Sequence, residues 1–200
     1  MDELTLSDLE FFDERFEIVA HLDCFAPKLL PLLPVERDIE RGTGAHDYLR
    51  GTDGHDEQIA GGGDDVILGS DGYDFMRGGS GTDTADYWDS PCAVSVNLES
   101  GTGWGGHAHG DTYSGIEDVK GSRYNDTLVG SRFDNAMDGG QGADSIDGGR
   151  GDDDLRGGSG RFDDTLEGGA GDDTLYGGKG ENSLRGGNGA DTFTIYFIDT

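Results

Sequence analysis

The chain has 200 residues, enough for one domain, and carries 42 acidic against 14 basic residues, a formal net charge of −28. Nucleic acid and anionic membrane surfaces repel such a polyanion, so both are excluded as partners. Thirty-eight residues are glycine, against a usual share of about 7 %, and only 32 % are hydrophobic, so an ordinary globular core would be thin.

The first segment, residues 1–41, differs from everything that follows. Ser7 and Glu10 form a capping box, and Leu6 can staple onto Phe11. Leu9, Phe12, Phe16, Val19 and Leu22 recur at three and four, one face of an α-helix. Pro27, Pro31 and Pro34 end that helix and form a linker. The helix is expected to cap the open first coil of a repeat structure; docking onto another protein is the alternative. The acidic start "MDELTLSDLEFFDERF" lacks the basic n-region of a secretory signal peptide. No apolar run approaches the ~20 residues that span a bilayer. Cys24 and Cys92 are too few and too far apart for a disulfide framework or zinc spacing, so two buried or free thiols are expected, with one disulfide as the alternative.

From Gly42 the chain cuts into nines: "GTGAHDYLR", "GTDGHDEQI", "AGGGDDVIL", "GSDGYDFMR" and "GGSGTDTAD". The register resumes at Gly121 with "GSRYNDTLV", "GSRFDNAMD", "GGQGADSID" and "GGRGDDDLR". It slips by two residues at "GGSGRFDDTLE", then continues through "GGAGDDTLY", "GGKGENSLR" and "GGNGADTFT". Position six is Asp47, Asp56, Asp65, Asp74 and Asp83 in the first block. In the second it is Asp126, Asn135, Asp144, Asp153, Asp164, Asp173, Asn182 and Asp191. Position eight is mostly apolar, from Leu49, Ile67 and Met76 to Leu175, Leu184 and Phe193.

These units resemble the RTX (repeat-in-toxin, hemolysin-type) nonapeptide G-G-x-G-x-D-x-U-x, a calcium-binding parallel β-helix repeat. The stretch from Ala85 to Gly130 is similar to the irregular spacer that bridges repeat blocks in bacterial RTX exoproteins. The resemblance implies an all-β fold, a calcium-stabilised parallel β-roll (a β-helix solenoid) preceded by the short N-terminal α-helix. The division expected is 1–41 helix and linker, 42–86 first repeat block, 87–120 spacer within the roll, and 121–200 second block with a C-terminal strand.

The residue types explain the chemistry. Glycines at positions one, two and four allow otherwise forbidden dihedrals and a tight turn whose carbonyls face inward. The position-six carboxylate adds a charged oxygen, and an all-oxygen cage suits Ca²⁺, which takes six to eight ligands. Two units complete one coil, and the resemblance implies one ion between the turns of units n and n+2. The expected carboxylate ligands are Asp47, Asp56, Asp65, Asp74, Asp83, Asp126, Asp144, Asp153, Asp164, Asp173 and Asp191. The stacked pairs are Asp47 with Asp65, Asp56 with Asp74, Asp65 with Asp83, Asp126 with Asp144, Asp144 with Asp164, and Asp153 with Asp173. Turn residues expected to complete the sites are Gly61, Gly63, Gly69, Asp71, Gly72, Gly78, Ser80 and Gly81 in the first block. In the second they are Gly139, Gln141, Gly142, Gly148, Arg150, Gly151, Gly157, Gly168, Ala170, Gly171, Gly177 and Gly186. Asn135 and Asn182 lose the charge, Tyr124 and Phe133 replace a position-four glycine, and Gln58 puts a polar group inside. Coils stack ~4.8 Å apart. At an effective dielectric of ~20, each carboxylate pair would repel by about 3 kcal/mol. Calcium binding is therefore expected to be folding itself.

Other signals are weak. "GTGWGG" at 101–106 matches G-x-G-x-x-G, but no helix follows, so a dinucleotide site is rejected. His107 and His109 are expected as a solvent-exposed pair, and Trp88 and Trp104 as shields of the spacer interior. There is no H-E-x-x-H and no G-x-S-x-G, and 41 residues before the repeats cannot hold an enzyme core, so no catalytic residue is expected. The reading is a non-catalytic, secreted, extracellular module that binds several calcium ions. The resemblance implies export by type I secretion machinery with an uncleaved C-terminal signal, although only "IYFIDT" follows Thr194. Two rivals stay open: an accessory module of a larger exoenzyme (protease, lipase or polysaccharide-modifying), or a self-associating adhesin or surface-layer component.

Overall fold

The computed structural model describes residues 38–194. The expected N-terminal helix, Cys24 and the last six residues lie outside the described residues. The chain winds as a flattened coil between two walls of strands. β1 (Asp38–Arg41), β3 (Asp56–Gly62) and β5 (Phe75–Ser80) begin one wall, alternating with β2 (Tyr48–Arg50), β4 (Val66–Leu68) and β6 (Thr84–Asp86) in the other. β7 (Ser95–Asn97), β8 (Thr102–Trp104) and β9 (Thr112–Ser114) then join the first wall, and β10 (Asp118–Lys120) joins the second. β11 (Thr127–Ser131), β13 (Ser145–Arg150), β15 (Thr165–Ala170) and β17 (Ser183–Asn188) finish the first wall. β12 (Ala136–Asp138), β14 (Asp154–Arg156), β16 (Thr174–Tyr176) and β18 (Thr192–Thr194) finish the second.

The period of nine produces this directly. Strands two units apart pair in parallel, as in Asp38↔Asp56 through Arg41↔Ile59 and Met137↔Leu155. Each position-eight side chain turns inward and stacks on its equivalent. Leu49, Ile67, Met76, Leu128, Met137, Ile146, Leu155, Leu166 and Leu175 are all at most 2 % exposed. At the last coil the stack opens: Leu184 is partly buried and Phe193 is 45 % exposed. The Arg161–Phe162 insertion is absorbed in its turn, and pairing continues at Ser145↔Thr165 and Asp154↔Thr174.

The spacer departs from a purely parallel roll. β9 stacks in parallel on β5, but β8 is antiparallel to both β9 and β7, and β11 then continues from β7. The second wall meanwhile passes directly from β6 to β10 to β12. One wall therefore has ten strands where the other has eight. At ~4.8 Å per strand, the extra pair adds about 10 Å to one side only. Gly101–Gly106 spans β8 and is followed by a single 3-10 turn, Gly106–Ala108, so the dinucleotide reading finds no helix there. Cys92 is buried, 5 % exposed, and disulfide-bonded, so the alternative of one disulfide replaces the thiol expected there.

Gln58 is fully buried; its Nε2 reaches the Leu68 carbonyl only at 3.4 Å, and its Oε1 has no hydrogen-bond partner, nor has Glu40 Oε2 in the same stack. A buried polar atom without a partner costs ~1–3 kcal/mol. Replacing both by leucine should stabilise the first two coils by about 2 kcal/mol. A raised thermal midpoint at fixed calcium would show this, and a lowered one would refute it.

Candidate metal centre

Two rows of turns join the walls, and each carries a column of buried carboxylates. In the row leading from the first wall to the second, the N–H of Asp47 donates to Asp65 Oδ1 (2.8 Å), and that of Asp65 to Asp83 Oδ1 (3.0 Å). Higher up, Asn135 donates to Asp153 (2.8 Å), Asp153 to Asp173 (2.9 Å), and Asp173 to Asp191 (3.1 Å). In the opposite row the links are Asp56 to Asp74 (2.9 Å), Asp126 to Asp144 (2.8 Å), Asp144 to Asp164 (2.9 Å) and Asp164 to Asn182 (2.8 Å). Each of the six stacked pairs expected from the repeat is thus joined through one carboxylate oxygen, Oδ1, and one backbone N–H.

Two members of these columns are invisible to the period of nine. Asp111, 1 % exposed, accepts the N–H of Asp74 (2.9 Å), which lies 37 residues earlier because the β7–β8 hairpin intervenes. Glu117 accepts the N–H of Asp83 (3.0 Å), its extra methylene reaching across a turn of only three residues between β9 and β10. The pairing of Asp111 with inward Tyr113, two residues on, repeats the six-and-eight pattern and could have revealed the first. Position five forms an outer column as well: Asp134, Asp152 and Asp172 each accept an N–H 18 or 20 residues away.

The second carboxylate oxygen separates the turns. Oδ2 of Asp65, Asp83, Asp144, Asp153 and Asp173 is buried with no hydrogen-bond partner, and these residues are at most 2 % exposed. At Asp47, Asp56, Asp74, Asp111 and Asp126 that oxygen is occupied. Thr43 N–H donates to Asp47, Thr52 N–H to Asp56, Ser122 N–H to Asp126, and the Ser70 hydroxyl to Asp74 (2.9 Å). The Tyr87 hydroxyl holds Asp111 Oδ2 (2.8 Å). Asn135 takes the Ser131 N–H on its oxygen and gives its amide to the Glu117 carbonyl, while Asn182 gives its amide to the Gly177 carbonyl.

The glycines divide too. Left-handed φ occurs at positions two and four, as at Gly149 (94°) and Gly151 (104°), where a side chain would be strained. Position-one glycines have no such φ, contrary to expectation. They are required for space: a Cβ on Gly148, Gly157 or Gly168 would run into the Oδ2 of its own position-six aspartate and the position-one carbonyl of the next coil together. Carboxylate and carbonyl oxygens therefore converge on one small volume in each such turn. Among the described residues no three acidic, histidine or cysteine side chains meet at one point, so side chains alone do not make a cage. The oxygens are carboxylate plus backbone, the donor set of a hard cation.

Burial raises the carboxylates. Asp144 and Asp153 are pushed up to about 7, chiefly by burial, with the stacked carboxylates adding to it. Asp74, Asp83, Asp126 and Asp164 rise to about 6 for the same main reason. A column of desolvated anions with unpaired oxygens is unfavourable unless protons or cations join it.

The spacer side chains correct two expectations. His107 is half-buried between Asp71 and Asp89, at 3.8 and 3.7 Å. His109 packs edge-on against Trp104 (4.1 Å between centroids), and Trp104 itself is 58 % exposed, where a place over the spacer interior was expected. Trp88 is half-buried, with the cations of Lys120 and Arg123 over its ring at 5.0 and 5.1 Å.

The family model for the RTX calcium-binding nonapeptide repeat matches residues 59–87, 111–132, 129–161 and 160–193. The chain belongs to this family. Its match resumes at Asp111, where the carboxylate column resumes in the structure, ahead of the regular register at Gly121. No curated protein matched the chain. Among the described residues no helix is long and apolar enough to cross a membrane.

Proposed function

We propose that this RTX roll is a calcium-folded, non-catalytic module of a secreted protein. The observation that carries the reading is the set of buried Oδ2 atoms without partners in Asp65, Asp83, Asp144, Asp153 and Asp173, with backbone carbonyls of the next coil beside those of Asp83, Asp153 and Asp173. Calcium bound there supplies the positive charge that these oxygens lack. The aspartates and the carbonyls of turn residues such as Gly168 and Gly186 hold the ion, and the position-two and position-four glycines set the turn that aims those carbonyls. The leucine and methionine stack then closes behind the ordered turns. Extracellular calcium modules work at ~10⁻⁴–10⁻³ M. The chain would therefore stay unfolded at cytosolic calcium and fold after export, which supports an extracellular location and a secretion route compatible with an unfolded substrate.

The test is far-UV circular dichroism during a calcium titration from chelator, with magnesium in parallel. A cooperative passage from coil to β signal in calcium, and not in magnesium, is expected. A chain already folded in chelator, or indifferent to calcium, would overturn the reading.

A further inference from the structure

The repeat treats all position-six aspartates as equivalent, but the structure does not. Asp65, Asp83, Asp144, Asp153 and Asp173 keep an unpaired Oδ2, and every one belongs to a unit with glycine at position two. Asp47, Asp56, Asp74 and Asp126 belong to units with threonine or serine there, and in each that residue donates to Oδ2 through its N–H, its hydroxyl or both. The backbone follows the same division. Position-two glycines such as Gly79, Gly149 and Gly169 are left-handed, at 121°, 94° and 111°, whereas no residue other than glycine has a positive φ among the described residues.

We infer that position two decides which turns take calcium: glycine leaves a turn open for the ion, and serine or threonine closes it with the protein's own donor. The physical reason is a competition for one place. An N–H or O–H aimed at Oδ2 puts a partial positive charge where a cation would otherwise be drawn, and it satisfies the buried oxygen that makes binding favourable. The open turns are left with a desolvated carboxylate whose remaining oxygen has only a cation or a proton to meet. Closed turns begin each repeat block, at Asp47 and Asp56 and again at Asp126, and one more, Asp74, adjoins the spacer, so the roll contains metal-independent turns at both block starts. This selectivity rests on the calcium reading above and refines it.

The experiment is calcium stoichiometry by equilibrium dialysis and atomic emission at saturating calcium, with circular dichroism as the folding check, on the full chain and four variants. Asp144→Asn and Asp153→Asn should each lose at least one ion. Asp56→Asn should lose none. Ser70→Gly, which frees Asp74 beside a position-four glycine already left-handed (Gly72, 145°), should gain one. Equal losses from Asp56→Asn and Asp144→Asn, or no gain in a folded Ser70→Gly chain, would overturn the inference while leaving calcium folding intact. If Asp56→Asn does not fold, Ser70→Gly decides alone, and if Ser70→Gly does not fold, the comparison of Asp56→Asn with Asp144→Asn decides. A wild-type chain that binds no calcium at all would instead remove the functional reading itself.

Discussion

In chelator, the chain should gain β structure as the pH is lowered from 8 to 5. The six aspartates raised to about 6 or about 7 by burial have an unfolded value near ~3.9. Between those values the folded roll binds more protons than the unfolded chain, so stability rises as pH falls and is lost as pH climbs through the folded values. In acid, protons neutralise these buried carboxylates and remove the cost of burying their charge. The transition should fall between about pH 5 and pH 7 and should vanish in saturating calcium, where the roll is folded throughout. Circular dichroism in chelator across that range checks it. A chain that loses structure on acidification, or shows no change, would mean that the columns do not control folding.

Leu155→Ala should raise the calcium concentration needed for folding, whereas Phe193→Ala should barely move it. Leu155 is fully buried between Met137 and Leu175 in the middle of the stack, and Phe193 lies 45 % exposed at its open end. Emptying the central position costs about 2–5 kcal/mol, a large share of a typical domain's ~5–15 kcal/mol. If one ion binds at each of the five open turns in one transition, that cost raises the calcium midpoint roughly two- to fivefold. Parallel titrations of the two variants measure it. Equal shifts would show that the coils fold independently, since in a cooperative stack the middle matters more than the end.

Both results depend on how local and non-local information combine in this fold. A repeat of nine can be read by eye because each unit places the same types at positions one, two, four, six and eight, and each position has one job. Position eight had to be interior once the strands were parallel and two units apart, and the stack from Leu49 to Leu175 follows. Position six had to face its equivalent, and the columns follow. Gln58 was legible as a misfit for the same reason.

Asp111 and Glu117 were not legible in that way. Their partners lie 37 and 34 residues earlier, across a hairpin that no period predicts, and Glu117 replaces aspartate in a shortened turn. The Tyr87 hydroxyl that closes Asp111 is a contact between side chains 24 residues apart with no repeat relation. The position-one glycines were recognised, but for the wrong cause: they make room for a carboxylate and a carbonyl, and their own dihedrals are ordinary.

The sequence by itself determined the coil, its period, its interior and the acidity of its turns, because nearest-neighbour stacking repeats one local rule. Tertiary structure decided which carboxylate oxygens remain unpaired. That depends on where a hydroxyl or an N–H actually points once position two takes one backbone conformation or another, and on which strand the spacer inserts between two coils.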